Sequence, residues 1–369
     1  MPQLFGTQYS KAELLSRVGR LEQVAGVRLV TLGDGLGRDV RLVEFRTGSG
    51  FSFDIVIDRS FDIGRCELGG RPLNWQANAG VVAPWYYEPE GLGWFRAWGG
   101  GMVVTVGLDH LGFGGEDTGE AFHQPHVNSK VSFGLHGRVG GLPARLVGYG
   151  ERWEGDECIL WAEGEVLQSA VFGEHLLLRR RVEARVGESK FTIHDEVENV
   201  GHTDVAHLLL YHCNVGFPII EAGAELLVPA SETTTGYGVP IEGYRTLSDP
   251  IPDFTEACFE HELVAEPGGT VPVGVVNRRL GFGAYQVFNI SQLAHHTVWR
   301  MMGEDTYCLA MEPATNRDAG RWDARERGEL IILERGATRS YDLEIGALDG
   351  TAAIDAFAAR VAAIPGQGV

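Results

Sequence analysis

Three short strings carry the groups able to do chemistry: GLHGR at 134–138, YHCN at 211–214 and MEPATN at 311–316. Each holds one proton-transfer side chain, His136, His212 or Glu312. Two imidazoles and a carboxylate, far apart in sequence but gathered by a sheet, can move protons on and off a polyol near neutral pH. No GxSxG, no P-loop and no strand-to-helix GxGxxG competes with them. Gly33 to Gly37 is glycine-rich but no helical run follows it, and the triple glycine at 99–101 precedes a strand.

Each string also has a plain structural alternative. His136 sits where an apolar run meets a tight turn, and a turn histidine bonded locally would look the same. His212 ends the core run Leu208 to Leu210, with Asn214 on its face by strand alternation; a core histidine satisfied by backbone is the alternative. Glu312 ends an apolar strand and is followed at once by Pro313. A carboxylate there is costly unless used or paired. Partial burial raises its pKa towards neutrality, which suits a general base. Its alternative is an ion pair with an arginine such as Arg300.

Further residues could hold a substrate. Arg59 lies in IDRSFDIG after a strong strand, Arg96 in WFRAWGGG beside Trp94 and Trp98, and Trp299 and Arg300 in HTVWRMMG. Aromatic faces with Arg or Asp tips suit a sugar, whose C–H faces stack and whose hydroxyls take hydrogen bonds. Asp109, Arg138 and Asn214 complete the expected substrate-binding set. Asp109 with His110, and His123 with His126, are only a weak metal signal, because HxxH lacks a carboxylate partner at a defined spacing. The sequence therefore predicts no metal and no cofactor.

The chain has 369 residues, 31 Lys and Arg against 50 Asp and Glu, and a net charge of −19. That balance argues against nucleic acid, which needs clustered cations, and against a basic membrane-surface helix. No window approaches about 18 uninterrupted apolar residues. The opening MPQLFGTQYS has neither a basic nor an apolar leader region. Five cysteines, an odd number without CxxC, predict free thiols in a reducing compartment. A cytoplasmic protein acting on a small, neutral or weakly charged molecule fits.

The elements that must position these groups are mostly strands. Lys11 to Val24 has helical spacing, with Ser10 and Glu13 as a capping box. Thereafter period-two or short apolar runs dominate, punctuated by scattered glycines. Arg41 to Arg46 with Phe51 to Ile57 reads as a hairpin. So do Leu176 to Val182 with Lys190 to Val197, and Glu329 to Glu334 with Arg339 to Ala347. Thr351 to Ile364 is Ala-rich and predicts a short terminal helix. No βαβ spacing and no linker appear. The predicted architecture is all-β: one domain over 1–369, a large antiparallel β-sandwich with an N-terminal helical segment and a C-terminal helix. Pro84 to Gly101 and Gly238 to Pro252 read as long loops over one face of the sheet.

The strings DRSFDIG, RAWGGGMVVTVGLDH, SFGLHGR, YHCNVGFP, WRMMGEDTY and MEPATN together resemble the aldose 1-epimerase (galactose mutarotase-like) superfamily. They are most similar to an uncharacterised bacterial branch of it, domain of unknown function 4432. The resemblance runs over nearly the whole chain. It implies a β-supersandwich with the site in a groove on one sheet, and a cofactor-independent isomerase. By motif, Glu312 resembles the base on the anomeric hydroxyl, His212 the acid on the ring oxygen, and His136 the second histidine that holds the sugar. Arg96 resembles the substrate arginine of sugar-phosphate relatives. The family aspartate that grips hydroxyls has no match: Asp249 and Asp253 occupy that interval in a Pro-rich loop. The implied chemistry takes a proton from O1 and delivers one to O5, with the Glu and the His on opposite sides of the ring. The partner is a small carbohydrate. The oligomeric state is left open, a homodimer included. Two rivals stand beside this: a lyase or isomerase on an oxidised sugar using the same pair, and a non-catalytic carbohydrate-binding protein.

Overall fold

Strand alternation builds the molecule. Along His175–Arg185, positions 176, 178, 180, 182 and 184 are buried and their neighbours are less so; Lys190–Asn199 repeats the pattern. Apolar side chains on one face of each strand must be covered, so sheets stack. The computed structural model describes residues 1–118, 130–236 and 238–366.

An eight-stranded antiparallel sheet runs in the order Arg145–Glu154, Glu157–Ser169, His175–Arg185, Lys190–Asn199, Thr338–Asp349, Phe282–Asn289, Thr270–Asn277 and Glu225–Leu227. A second sheet runs Ala230–Thr235, Ala257–Leu263, His295–Met302, Tyr307–Ala314, Val205–Val215 and Ile331–Leu333, and Val104–Leu108 also pairs with Val205–Val215. A third, five-stranded sheet spans Gly26–Thr31 to Arg71–Pro72. All three contribute to one apolar core, with Phe45, Phe53, Leu178, Ile193, Tyr211 and Met311 among its members. The fold is thus the all-β antiparallel sandwich that the alternation predicts.

Several expectations need correction. The N-terminal helix covers only Lys11–Leu15, with the capping box of Ser10 and Glu13 in place, and a separate 3₁₀ turn follows at Leu21–Gln23. A five-residue helix cannot sustain itself alone; buried Leu14 and Leu21 hold the two pieces to the core instead. The hairpin across Arg335 to Ala337 is a corner between sheets. Ile331–Leu333 pairs with Val205 to His207, whereas Thr338–Asp349 pairs with Lys190–Asn199 and Phe282–Asn289. The sequence does not predict the strands Asp62–Leu68 and Ala257–Leu263, because polar residues interrupt their alternation. The terminal helix spans Thr351–Ala362. No helix of the described residues is long and apolar enough to cross a membrane.

Two neighbouring strands, Val205–Val215 and Tyr307–Ala314, are buried along nearly their whole length. Their rear faces meet the inter-sheet core. Their front faces lie under a second apolar cluster that includes Trp75, Trp94, Trp98, Val104, Leu208 and Cys308. Residues 84–101 supply Trp94 and Trp98 and so cover that front. Residues 238–252 do not: Tyr244 stacks on Phe259 at 4.8 Å, on the core side.

A buried polar network crosses the core behind the front face. Arg180 Nε and Nη2 donate to Asp195 at 2.9 and 2.6 Å, and Nη1 donates to Asp62 and Thr105 at 3.1 and 2.8 Å. The Tyr211 hydroxyl donates to Asp195 at 2.7 Å. One guanidinium thereby ties all three sheets together, each charge hydrogen-bonded as burial demands.

Candidate active site

His212 and Glu312 stand on adjacent strands. The register pairs Leu210 with Ala314 and Cys213 with Met311, so His212 and Glu312 directly oppose each other on the front face. Across the next strand Glu312 faces Thr297. His212 Nε2 lies 3.0 Å from Glu312 Oε1, with both side chains about 5% exposed. Burial drives both groups towards neutrality. It pushes His212 down to about 4. Burial, then the carboxyls of Asp318 and Glu256, hold Glu312 well above the usual carboxylate range. The two therefore share one proton near neutral pH and titrate as a pair.

His136 reaches the same place from a turn. Its φ is 60°, the left-handed region that non-glycine residues seldom adopt. Backbone bonds fix it there: its N–H donates to Gly112 O at 2.8 Å, and its carbonyl accepts from Gly107 N at 3.2 Å. Gly137 follows because a Cβ there would lie 2.5 Å from Gly107 O. His136 Nδ1 accepts from Gly112 N–H at 3.3 Å. That assigns the ring proton to Nε2 and makes His136 a donor. Burial, then His212 and His110, keep it well below the ordinary histidine range. The His136 and His212 rings lie 6.0 Å apart, Trp94 packs edge-on to His136 at 4.7 Å, and Trp98 packs on His212 at 5.1 Å.

The three groups line one cavity of ≈ 50 Å³ together with Trp98, Glu256, Trp299 and Asp318. That is room for a water or two, not for a sugar ring. Trp98, Phe95, Glu256 and Trp299 also line an adjoining groove of ≈ 480 Å³. The groove therefore continues the cavity outwards between aromatic faces. Trp299 Nε1 donates to Glu256 Oε2 at 2.8 Å. Trp98 Nε1 and His212 Nδ1 are buried without a partner among the described residues. Burial and Glu260 push Asp318 up to about 6.

Glu256 and Asp318 are not among the residues that the sequence points to. Asp318 comes two residues after MEPATN and is brought in where its chain crosses Gly112, a crossing so tight that a Cβ on Gly112 would lie 1.7 Å from Asp318 O. Glu256 immediately precedes the strand Ala257–Leu263. Neither carries a local signal beyond an acidic side chain at a strand end.

Of the residues expected to bind substrate, only Trp299 lines the cavity. Arg59 donates to the carbonyls of Gly140, Ala97 and Val82 at 2.6, 2.7 and 3.2 Å and fastens loops. Arg96 is exposed and ion-paired with Glu88. Arg138 is taken by Glu174 and by Ser169 O. Asp109 is buried and accepts from Gln168 at 2.7 Å. Asn214 donates to Gly101 O and His212 O, both at 2.9 Å, and so braces the strand end. Arg300 does not pair with Glu312; its Nη1 donates to Tyr244 O at 3.3 Å, on the other face of its strand. Asp249 and Asp253 are exposed and line neither space. His110 Nε2 bonds Phe113 O at 3.0 Å, away from Asp109. His123 and His126 lie outside the described residues. No His, Cys, Asp or Glu group among the described residues is arranged to hold a metal.

The fold has solved counterparts. A candidate aldose 1-epimerase from Klebsiella pneumoniae superposes with a TM-score of 0.85 at 22% identity, over 95% of this chain and 91% of that one. A galactose mutarotase-like protein from Clostridium acetobutylicum gives 0.57 at 10% identity, over 88% and 98%. Galactose 1-epimerase from Lactobacillus acidophilus NCFM gives 0.56 at 11% identity, over 88% and 99%. No curated protein matches the sequence. A family model described as a domain of unknown function, DUF4432, matches residues 37–347. The chain therefore belongs to the DUF4432 family, on the galactose mutarotase-like fold.

Proposed function

We propose that this protein interconverts the anomers of an aldose or sugar derivative, with Glu312 and His212 as the acid–base pair and His136 as a hydrogen-bond donor to the sugar. The observation that carries this is the 3.0 Å contact between His212 and Glu312 at the closed end of an aromatic groove.

The chemistry follows from one shared proton. A base takes the proton of O1, the C1–O1 bond becomes a carbonyl as the C1–O5 bond breaks, and an acid delivers a proton to O5. Rotation about C1–C2 exposes the other carbonyl face, and closure runs the same transfers in reverse. O1 and O5 are both bonded to C1, so an acid and a base set side by side reach both. The pair need not flank the ring, and here the two groups are neighbours on one sheet face rather than opposed. The narrow cavity then takes the two oxygens, and the ring lies in the groove against Trp98 and Trp299. The transfers are balanced within the pair, so no cofactor takes part.

Polarimetry or NMR exchange on a panel of aldoses tests this. The wild-type protein is expected to speed anomer exchange over buffer, and Glu312→Gln to lose about a hundredfold or more, the usual contribution of a positioned acid or base. Exchange at the buffer rate, or an unimpaired Glu312→Gln protein, would remove the proposal.

A further inference from the structure

Apart from His136 and His212, which burial keeps uncharged, and Cys258, the titratable groups lining the cavity and groove are carboxyls. Glu256, Glu312 and Asp318 line the cavity. No Lys or Arg lines either space among the described residues. Residues 119–129, GEAFHQPHVNS, contain none either. Among the described residues neither Glu256 nor Asp318 takes part in an ion pair, and Arg317 beside Asp318 is held by Glu260 and Glu262. Phe95, Trp98 and Trp299 present aromatic rings to both spaces, and ring faces are electron-rich. Among the described residues no His, Cys, Asp or Glu group is arranged to hold a metal. Trp98 Nε1, buried and unpartnered, is one more group that a bound molecule would satisfy.

We infer that the substrate of this site is a saccharide bearing a protonated amine, with Glu256 and the Trp98–Trp299 pair as the groups that select it. This rests on the anomerase reading above and names its substrate class. An ammonium in the groove would meet the Glu256 carboxylate, already oriented by the Trp299 indole at 2.8 Å, and the faces of two tryptophans. A uronate, sulfonate or sugar phosphate would bring an anion among carboxyls with no cation to receive it. The cations adjacent in sequence to lining residues are all held elsewhere: Arg96 by Glu88, Arg317 by Glu260 and Glu262, and Arg300 by the Tyr244 carbonyl on the other face of its strand.

The test is binding and anomer exchange on four sugars of matched ring: a neutral hexose, the corresponding hexosamine, the hexuronate and the hexose 6-phosphate, at a pH where the amine is charged. The hexosamine is expected to bind about tenfold more tightly than the neutral hexose, the scale of one charged hydrogen bond, and the two anions more weakly than the neutral hexose. Glu256→Gln should bring the amine-to-neutral ratio to about one, and Asp318→Asn, a second variant, should lower it. Ratios within one variant cancel any general loss of fold. Turnover of the neutral sugar without preference for the amine, or an anion bound as well as the neutral sugar, overturns this inference and leaves the anomerase reading standing. No binding or exchange with any of the four overturns both.

Discussion

Tyr211 and His212 are consecutive, yet they serve opposite faces of one sheet. The Tyr211 hydroxyl donates to Asp195 at 2.7 Å inside the core, while His212 meets Glu312 at 3.0 Å on the front. Asp195 is in turn gripped by Arg180 through two bonds. The front face is thus pinned by a buried network one peptide behind it. A strand anchored in this way holds the His212–Glu312 register from behind, as the Asn214 bond to Gly101 O holds it in front.

That network sets the first expected outcome. Arg180→Leu leaves Asp195 and Asp62 buried without their cation, and a buried charge stripped of its partner costs about 3–5 kcal/mol. Tyr211→Phe removes one bond to a charged acceptor, about 1.5–3 kcal/mol. Urea unfolding of both variants checks the order. An Arg180→Leu protein as stable as wild type would show that the guanidinium does not hold the sheets together.

The shared proton predicts a bell-shaped pH profile for anomer exchange. The active pair carries one proton. As pH falls through about 4, the folded-state value of His212, a second proton binds and no base remains. As pH rises through the value of Glu312, which burial and its acidic neighbours lift well above the ordinary range, the shared proton is lost and no acid remains. The acid limb should therefore lie well below the usual histidine range near 6.5. A limb at or above 6.5 in kcat/KM would contradict a neutral, buried His212.

His136 separates backbone fit from chemistry. Its left-handed φ of 60° suits Asn among the polar residues but not a β-branched side chain. His136→Asn should fold with a near-normal Tm yet raise KM about tenfold, the loss of one good hydrogen bond to substrate. His136→Val should lose about 1–2 kcal/mol of stability as well. Thermal melts beside initial rates distinguish the two. An unchanged KM for His136→Asn would mean that the Nε2 proton does not touch the sugar.

How far the sequence reveals this site depends on the range of each signal. Glu312 and His212 stand out because an apolar strand ends in a charged or titratable tip beside Pro or Gly, a local pattern. Glu256 and Asp318 do not, since only the crossing over Gly112 and the pairing of Ala257–Leu263 with His295–Met302 bring them in. The arginines mislead for a similar reason. Arg59 follows a strong strand and Arg138 sits among glycines, as sugar ligands could, but backbone carbonyls and Glu174 occupy their guanidiniums. Arg180 was within reach. In LLLRRRVEA the alternation that buries Leu176, Leu178 and Val182 also buries the middle arginine, and an arginine at a core position demands an acidic partner. The sheet change at Gly336 was not, because its turn looks like any hairpin turn.

The last expectation concerns stability rather than turnover. His207 is fully buried, with Nδ1 at 3.0 Å from Leu108 O and Nε2 at 2.7 Å from the Tyr341 hydroxyl. Burial pushes it down to about 4. Above about 6.5 it is neutral in both folded and unfolded chains and contributes no pH dependence. Between 6.5 and 4 the unfolded chain binds the proton and the folded chain refuses it, so stability falls as pH falls through this window, by roughly 3 kcal/mol in all. Below 4 both states are charged and the slope ends. The raised carboxyls Asp54 and Asp318, both at about 6, act with the opposite sign, so total stability is a poor readout. The difference in slope between wild type and His207→Gln isolates the one group. Urea midpoints from pH 7 to pH 5 should converge as pH falls, and parallel curves would show that His207 takes up its proton in the folded state as readily as in the unfolded one.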